Sequence, residues 1–236
     1  MFDKFKRRSY ELEYIDTGSY TAAEYDDCIG ELQVVNRWMG DAHTLKSTLL
    51  KEVADEDLKE FSVLDVGAGS GELLRVTVNW ARETGRRVRA VGLEMNERSA
   101  ASILEESRDF PEISSVRADA LRLPFAESDF DYVICSLFTH HFVEDQVIQI
   151  LREMKRVARR RIIVIDLHRH PMAYLLYTTL GKIVLKNRLI RHDGALSILR
   201  SFKADELMAL GKRAGLRDVG VSRHFPYRLA LNAQTT

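Results

Sequence analysis

Apolar positions along the chain follow two alternating periods. Short runs rich in branched and aromatic residues, FSVLDV (61–66), RRVRAVGLE (86–94), SSVRA (114–118), FDYVICS (130–136) and RIIVIDL (161–167), have the length and composition of buried strands. Between them, Glu72 to Glu83, Glu97 to Arg108 and Glu144 to Arg159 carry apolar residues at helical spacing behind acidic first turns, which suit the positive end of a helix dipole. A helix over Ala204 to Ala214, stopped by Gly215, precedes two more candidate strands, Arg217 to His224 and Tyr227 to Asn232, split by Pro226. The alternation predicts an α/β fold with a seven-stranded, mostly parallel sheet and helices on both faces.

Two regions fall outside this alternation. Residues 1–58 read as an N-terminal helical cap of two or three helices, with Ile29, Leu32, Val35, Trp38 and Met39 among its apolar positions. Residues 59–236 form the core, interrupted by a helical insertion at 171–203. Ligands of open α/β sheets sit beyond the carboxyl ends of the strands, so both regions are expected to act as lids there. Within the insertion, Met172 to Leu185 is apolar but shorter than a membrane span and contains Lys182, and it reads as a helix covering a pocket.

Composition narrows the partners. The 236 residues include 35 basic and 35 acidic side chains, so no basic footprint marks a polyanion, and a small molecule rather than nucleic acid is the expected substrate class. Cys28 and Cys135 lie far apart with no metal-ligand spacing and read as thiols. The N-terminus lacks the apolar core of a signal peptide, and a cytoplasmic location is expected.

The segment VLDVGAGSG (63–71) sets Gly67, Gly69 and Gly71 at a strand-to-helix turn, where backbone must approach a ligand or adopt positive φ. A dinucleotide fingerprint would place its third glycine where Glu72 stands, and an acidic side chain there repels a pyrophosphate. Carboxylates at Asp65 and Glu72 instead tolerate a cationic ligand such as S-adenosylmethionine. Glu94, ending the second strand, can accept from both ribose hydroxyls, and Asp119 with Ala120 follows the third strand at a place suited to an adenine edge.

VLDVGAGSG, GLEMN, ADALRLPF and FDYVICSLFTHHF, in this order and spacing, resemble the successive motifs of class I S-adenosylmethionine-dependent methyltransferases, especially the small-molecule group related to quinone-biosynthesis enzymes. The resemblance covers about residues 60–168 and implies a Rossmann-like core. By position it implies that Asp65, Gly67 and Gly69 line the methionine part of the cofactor, with Gly71 in the same cofactor-binding set, that Glu94 holds the ribose, and that Met95 packs on adenine. It further implies that Asp119 and Ala120 read the adenine edge, and Ser136, closing the fourth strand, joins this cofactor-binding set. IVIDLHRHPMAYLL, RHDGALSILRSF and FPYRLAL also resemble a bacterial subset associated with polyketide or phenolic metabolism.

Methyl transfer from a sulfonium requires an aligned acceptor, and a phenol or enol acceptor requires a base. Thr139, His140 and His141 follow the fourth strand, and His168, Arg169 and His170 follow the fifth, at the same edge. His140 or His141 is the expected base, and His168 or Arg169 is expected to orient the acceptor. No third ligand has helpful spacing, so no metal is expected. Asp166 reads equally as a buried core carboxylate and as a site residue. The run KRVARRR (155–161) is expected to be a solvated helix end, and His192–Asp193–Gly194 a turn. Apolar residues over 171–190 suggest a hydrophobic acceptor. The expected reaction is O-methylation of a small hydrophobic or phenolic acceptor, with C-methylation and non-catalytic cofactor binding as alternatives.

Overall fold

The computed structural model describes residues 3–235 other than 19, 22, 23, 25, 26, 29, 30 and 32–39. The apolar positions expected at Ile29, Leu32, Val35, Trp38 and Met39 therefore lie outside the described residues.

Seven strands form one sheet: β1 (Glu60–Val66), β2 (Arg87–Glu94), β3 (Ile113–Arg117), β4 (Phe130–Ser136), β5 (Ala158–Leu167), β6 (Arg217–His224) and β7 (Arg228–Gln234). Their order is β3-β2-β1-β4-β5-β7-β6, parallel except for β7, which runs antiparallel to both neighbours. The helices are α1 (Asp41–Leu45, a π turn at Lys46–Leu50, then Lys51–Asp55), α2 (Glu72–Glu83), α3 (Glu97–Glu106), α4 (Glu144–Val157), α5 (Pro171–Val184), α6 (Arg188–Arg200) and α7 (Ala204–Arg213). A 3₁₀ turn at Asp3–Phe5 and a helical turn at Tyr14–Thr17 precede them.

The period-2 pattern of β1 divides the core. Phe61 and Val63 join the cluster containing Leu49 and Val53 of α1 and Leu74 and Val78 of α2. Leu64 and Val66 join the opposite cluster, with Leu151 and Met154 of α4 and Leu207 of α7. Fully burying one such side chain is worth about 1.5–3 kcal/mol. Residues Leu45, Leu49, Leu50 and Val53 are at most 1% exposed, so α1 is a core layer of the sheet and not part of a cap. The boundary expected at residue 58 thus separates no cap from the core along this helix, because the apolar face of α1 has the sheet to bury against.

Local sequence sets the helix starts that border the ligand edge. Asn96 caps α3 by accepting from Arg98 N and Ser99 N, and His170 caps α5 through Nδ1 to Met172 N with Pro171 in the first turn. Inside α6, Asp193 accepts from Tyr14 N and Ile15 N at 2.8 and 3.0 Å and so caps the Tyr14–Thr17 turn. The turn expected at His192–Asp193–Gly194 is therefore corrected to mid-helix. A Cβ on Gly194 would sit 2.0 Å from the Tyr177 hydroxyl, so this glycine serves the close approach of α5 to α6.

Strand order reverses between β1 and β4, because β1 connects onward to β2 on one side while β4 pairs on the other. In doubly wound sheets such a switch point marks the crevice, at the carboxyl ends of the two strands, where ligands bind.

Candidate active site

The crevice is walled by the glycine turn after β1 and the loop after β4. Gly67, Gly69 and Gly71 all have positive φ, at 74, 58 and 80°. Gly67 also lies under Phe138: a Cβ there would come within 2.3 Å of that ring. The two loops are thus in direct contact across the switch point. Glu94, at the end of β2, accepts Gly69 N through Oε1 at 2.6 Å, which fixes the turn against the neighbouring strand.

Two buried polar atoms facing this crevice's strand ends have no hydrogen-bond partner: Asp65 Oδ1 and Ser136 Oγ. Burial, reinforced by the negative charge of Glu94, pushes the Asp65 carboxyl up to about 8. An unpartnered buried carboxyl is costly and favours a cationic ligand group. Burial also raises Glu94, partly offset by the Gly69 and Met95 backbone N–H groups. Met95 is 68% exposed, an apolar side chain in the open next to Glu94. Asp119 accepts Leu121 N through Oδ1 at 2.9 Å, and Ala120 is buried beside it.

A second constellation lies one strand further on. Asp166, near the end of β5, accepts Thr139 Oγ1 at 2.5 Å and His140 N at 3.1 Å through Oδ2, and faces His140 Nδ1 at 2.6 Å through Oδ1. Burial would raise this carboxyl, but the His140 ring and the hydrogen bonds from His140, Thr139 and Leu167 outweigh it and hold it at about 2. An ionised Asp166 can only accept, so in neutral His140 the Nδ1 carries the proton and Nε2 the lone pair. His141 is held well below its ordinary value by burial, then by the His140 ring and Arg200.

The chain's N-terminal segment closes over this loop. Arg8 donates to the carbonyls of Arg200, His140 and Phe142, and Arg200 donates through Nη2 to the His141 carbonyl at 2.9 Å. Glu13 accepts Ser197 Oγ at 2.7 Å and brings Oε2 to 3.8 Å from His141 Nδ1. Glu13, His140 and His141 each offer one ligand atom within 4.8 Å of the others, so the fold supplies the third potential ligand that sequence spacing did not reveal. Arg200 Nη1 stands 3.8 Å from the same Glu13, which disfavours a dication there.

Of the four residues expected on the acceptor side, the structure brings His140 and His141 together and places the other two elsewhere. Arg169 is 1% exposed and donates to the Phe5 and Ser201 carbonyls and to Glu206. Its donors tie the N-terminal segment to α7, so the expected orienting role is corrected to a structural one. His168 lines a separate cavity of about 480 Å³ with His170, Lys203 and Arg223. Arg8, Glu13 and Arg200 were invisible as site residues, since the contacts that define them span more than 50 positions.

Residues 63–161 match a family described as a methyltransferase domain. With the fold, this match supports a class I S-adenosylmethionine-dependent methyltransferase. It is 33% identical over 96 residues to a 2-phytyl-1,4-naphtoquinone methyltransferase of Thermosynechococcus vestitus, a similarity spanning 41% of this chain and 40% of that protein. It is 27% identical over 175 residues to a demethylmenaquinone methyltransferase of Staphylococcus carnosus, spanning 69% and 70% of the two chains. In fold it is similar to a SAM-dependent methyltransferase from Aquifex aeolicus (TM-score 0.60, 18% identity, 86% of this chain and 98% of that one). It is also similar to magnesium protoporphyrin IX methyltransferase from Synechocystis PCC 6803 with bound SAH (TM-score 0.58, 18% identity, 84% of each chain).

The methyltransferase's cofactor is S-adenosylmethionine, and the crevice fits it. The orphaned Asp65 carboxyl suits the ammonium of the methionine moiety, and the Glu94 carboxyl at the end of β2 is the group that would hold the ribose. The exposed apolar Met95 next to Glu94, and Asp119 beside the buried Ala120, are the residues that would hold an adenine.

Proposed function

We propose that this methyltransferase acts on an oxygen of a small hydrophobic acceptor of phenol or quinol type, with His140 as general base and Asp166 as the residue that positions it. The observation that carries the reading is the Asp166–His140 pair beside the crevice, 2.6 Å apart and buried. When bound, the cofactor supplies a sulfonium-activated methyl group for in-line displacement. Nε2 of His140 takes the acceptor's hydroxyl proton, and the ionised Asp166 stabilises the imidazolium that forms. Thr139 fixes Asp166, and the Arg8 and Arg200 guanidinium groups fix the loop carbonyls, so the imidazole is preorganised. The acceptor class is supported by the quinone substrates in the names of the two relatives.

Those names equally favour a second reading, methylation at carbon of a quinol, in which the same base forms the enolate-like nucleophile. Mass spectrometry and NMR of the product from a naphthohydroquinone separate methoxy from ring-methyl. Steady-state kinetics test the base: Asp166→Asn and His140→Asn are expected to lower kcat by roughly 10²–10⁴-fold while S-adenosylmethionine affinity changes little. Glu94→Ala is expected to abolish that affinity in calorimetric titration. Unchanged kcat in both Asp166→Asn and His140→Asn would overturn the assignment. Metal chelation is expected to leave the rate unchanged, and restoration of a chelated enzyme by a divalent ion would move the Glu13, His140 and His141 set from scaffold to metal ligands.

A further inference from the structure

Helix α5 carries its apolar side chains on the wrong face for a core helix. Met172, Leu175, Leu176 and Leu180 recur at i, i+3, i+4 and i+8 and are 45, 49, 41 and 56% exposed. They form one stripe, while Ala173, Tyr177 and Gly181 on the opposite side meet the protein. An amphipathic helix buries its apolar stripe against something. Among the described residues no element covers this stripe, and no helix is long and apolar enough to cross a membrane.

The second, independent observation is charge. The 480 Å³ cavity opens where α5 begins, and Lys203 and Arg223 line it together with Asp205 and with Lys6, which is itself paired with Asp3 at 2.6 Å. Among the described residues neither Lys203 nor Arg223 lies within 4.0 Å of a carboxylate. Both push down the pKa of His168, which burial, His170, Arg223, Arg169 and Lys203 together bring to about 4. Lys4 adds a further cation over the Tyr174 ring of α5, 3.4 Å from its centre, and Lys186 is exposed just past the helix's end. The whole chain carries equal numbers of basic and acidic residues, so this concentration is local to one helix.

We propose that α5 is an interfacial docking helix for an anionic lipid bilayer, its leucine stripe entering the acyl boundary and the basic cavity at its N-terminus taking lipid phosphates. An apolar stripe bordered by lysine and arginine is the composition that binds anionic membrane surfaces without spanning them. The Lys203 and Arg223 charges, without a carboxylate partner among the described residues, distinguish this occupant from a second copy of the chain, which would bring the same charge to the contact. Docking is independent of the acceptor's identity and of which residue is the base.

Vesicle flotation of the full chain tests it, with phosphatidylcholine alone and with phosphatidylcholine mixed with phosphatidylglycerol. The expected result is binding to the anionic vesicles at least about tenfold tighter than to the neutral ones, weakening steadily between about 0.05 and 0.5 M salt. Leu175→Glu with Leu176→Glu, and separately Lys203→Glu with Arg223→Glu, are expected to weaken it at least tenfold. These side chains lie outside the crevice, so unchanged S-adenosylmethionine affinity certifies folding. Equal binding by the variants, or no binding to anionic vesicles, overturns the proposal. In the latter case titration with inorganic pyrophosphate identifies a soluble anion as the occupant of the cavity, and a leucine-dependent dimer in sedimentation identifies a second copy as the occupant of the stripe.

Discussion

Asp65 carries the sharpest consequence for a single residue. Its carboxyl is raised to about 8 by burial and then by Glu94, whereas in the unfolded chain it titrates near 4. For an acid raised on folding, the stabilising contribution is fully present below about pH 4 and is lost as pH rises toward 8, because the unfolded chain ionises first. The cofactor-free protein is therefore expected to lose thermal stability between pH 6 and pH 8, and Asp65→Asn to flatten that slope in a thermal-shift series. Pairing the carboxylate with an ammonium reverses its preference, so cofactor binding at pH 7 is expected to release close to one proton. Calorimetry in buffers of different ionisation enthalpy reads this directly, and no release would show that Asp65 already carries charge.

Between elements, the contact of α5 with α6 depends on Gly194. The Tyr177 hydroxyl donates to the Ile190 carbonyl at 2.5 Å across that glycine. Gly194→Ala drives a methyl group into the tyrosine, and overpacking of this kind costs about 1–3 kcal/mol. A drop in denaturant midpoint with an unchanged slope is expected, and Tyr177→Phe combined with it should not restore stability, because the ring itself is in the way. The arginine run at 155–161 shows the same dependence on neighbours. Arg159, Arg160 and Arg161 reach Asp131, Glu56 and Glu52, so the expected solvated end becomes a set of ion pairs tying β5 to the end of β4 and to α1. Strand β4 and helix α1 contribute those carboxylates from distant positions, which is why a charge run alone read as solvated.

For the whole molecule, the buried pair Arg228–Asp41 joins the last strand to α1. Arg228 Nε donates to Asp41 at 2.6 Å, with the two side chains 1 and 8% exposed. Burial raises the Asp41 carboxyl even against the pull of Arg228. Removing one partner leaves a charge buried without compensation, at a cost of about 3–5 kcal/mol, whereas a matched apolar pair is close to neutral. Asp41→Leu is thus expected to lower the unfolding free energy by that amount, and Asp41→Leu with Arg228→Met to recover most of it in chemical denaturation. A double variant no more stable than the single one would count against the pair as the clamp.

The sequence by itself determined the sheet, the order of strands and helices in the chain, and the glycine turn after β1. Those features are written in short-range periodicity and in glycines whose backbone demands are local, as at Gly67, Gly69 and Gly71. It also contained His140 and His141, because they follow a strand directly. Only tertiary structure decided that Asp166 holds His140, that Arg169 is a buried latch, that Glu13 and Arg8 close over the loop, and that the leucines of α5 face outward. Each of these is a choice of partner across tens to hundreds of positions, and the direction a side chain finally faces depends on which surfaces the rest of the chain leaves uncovered.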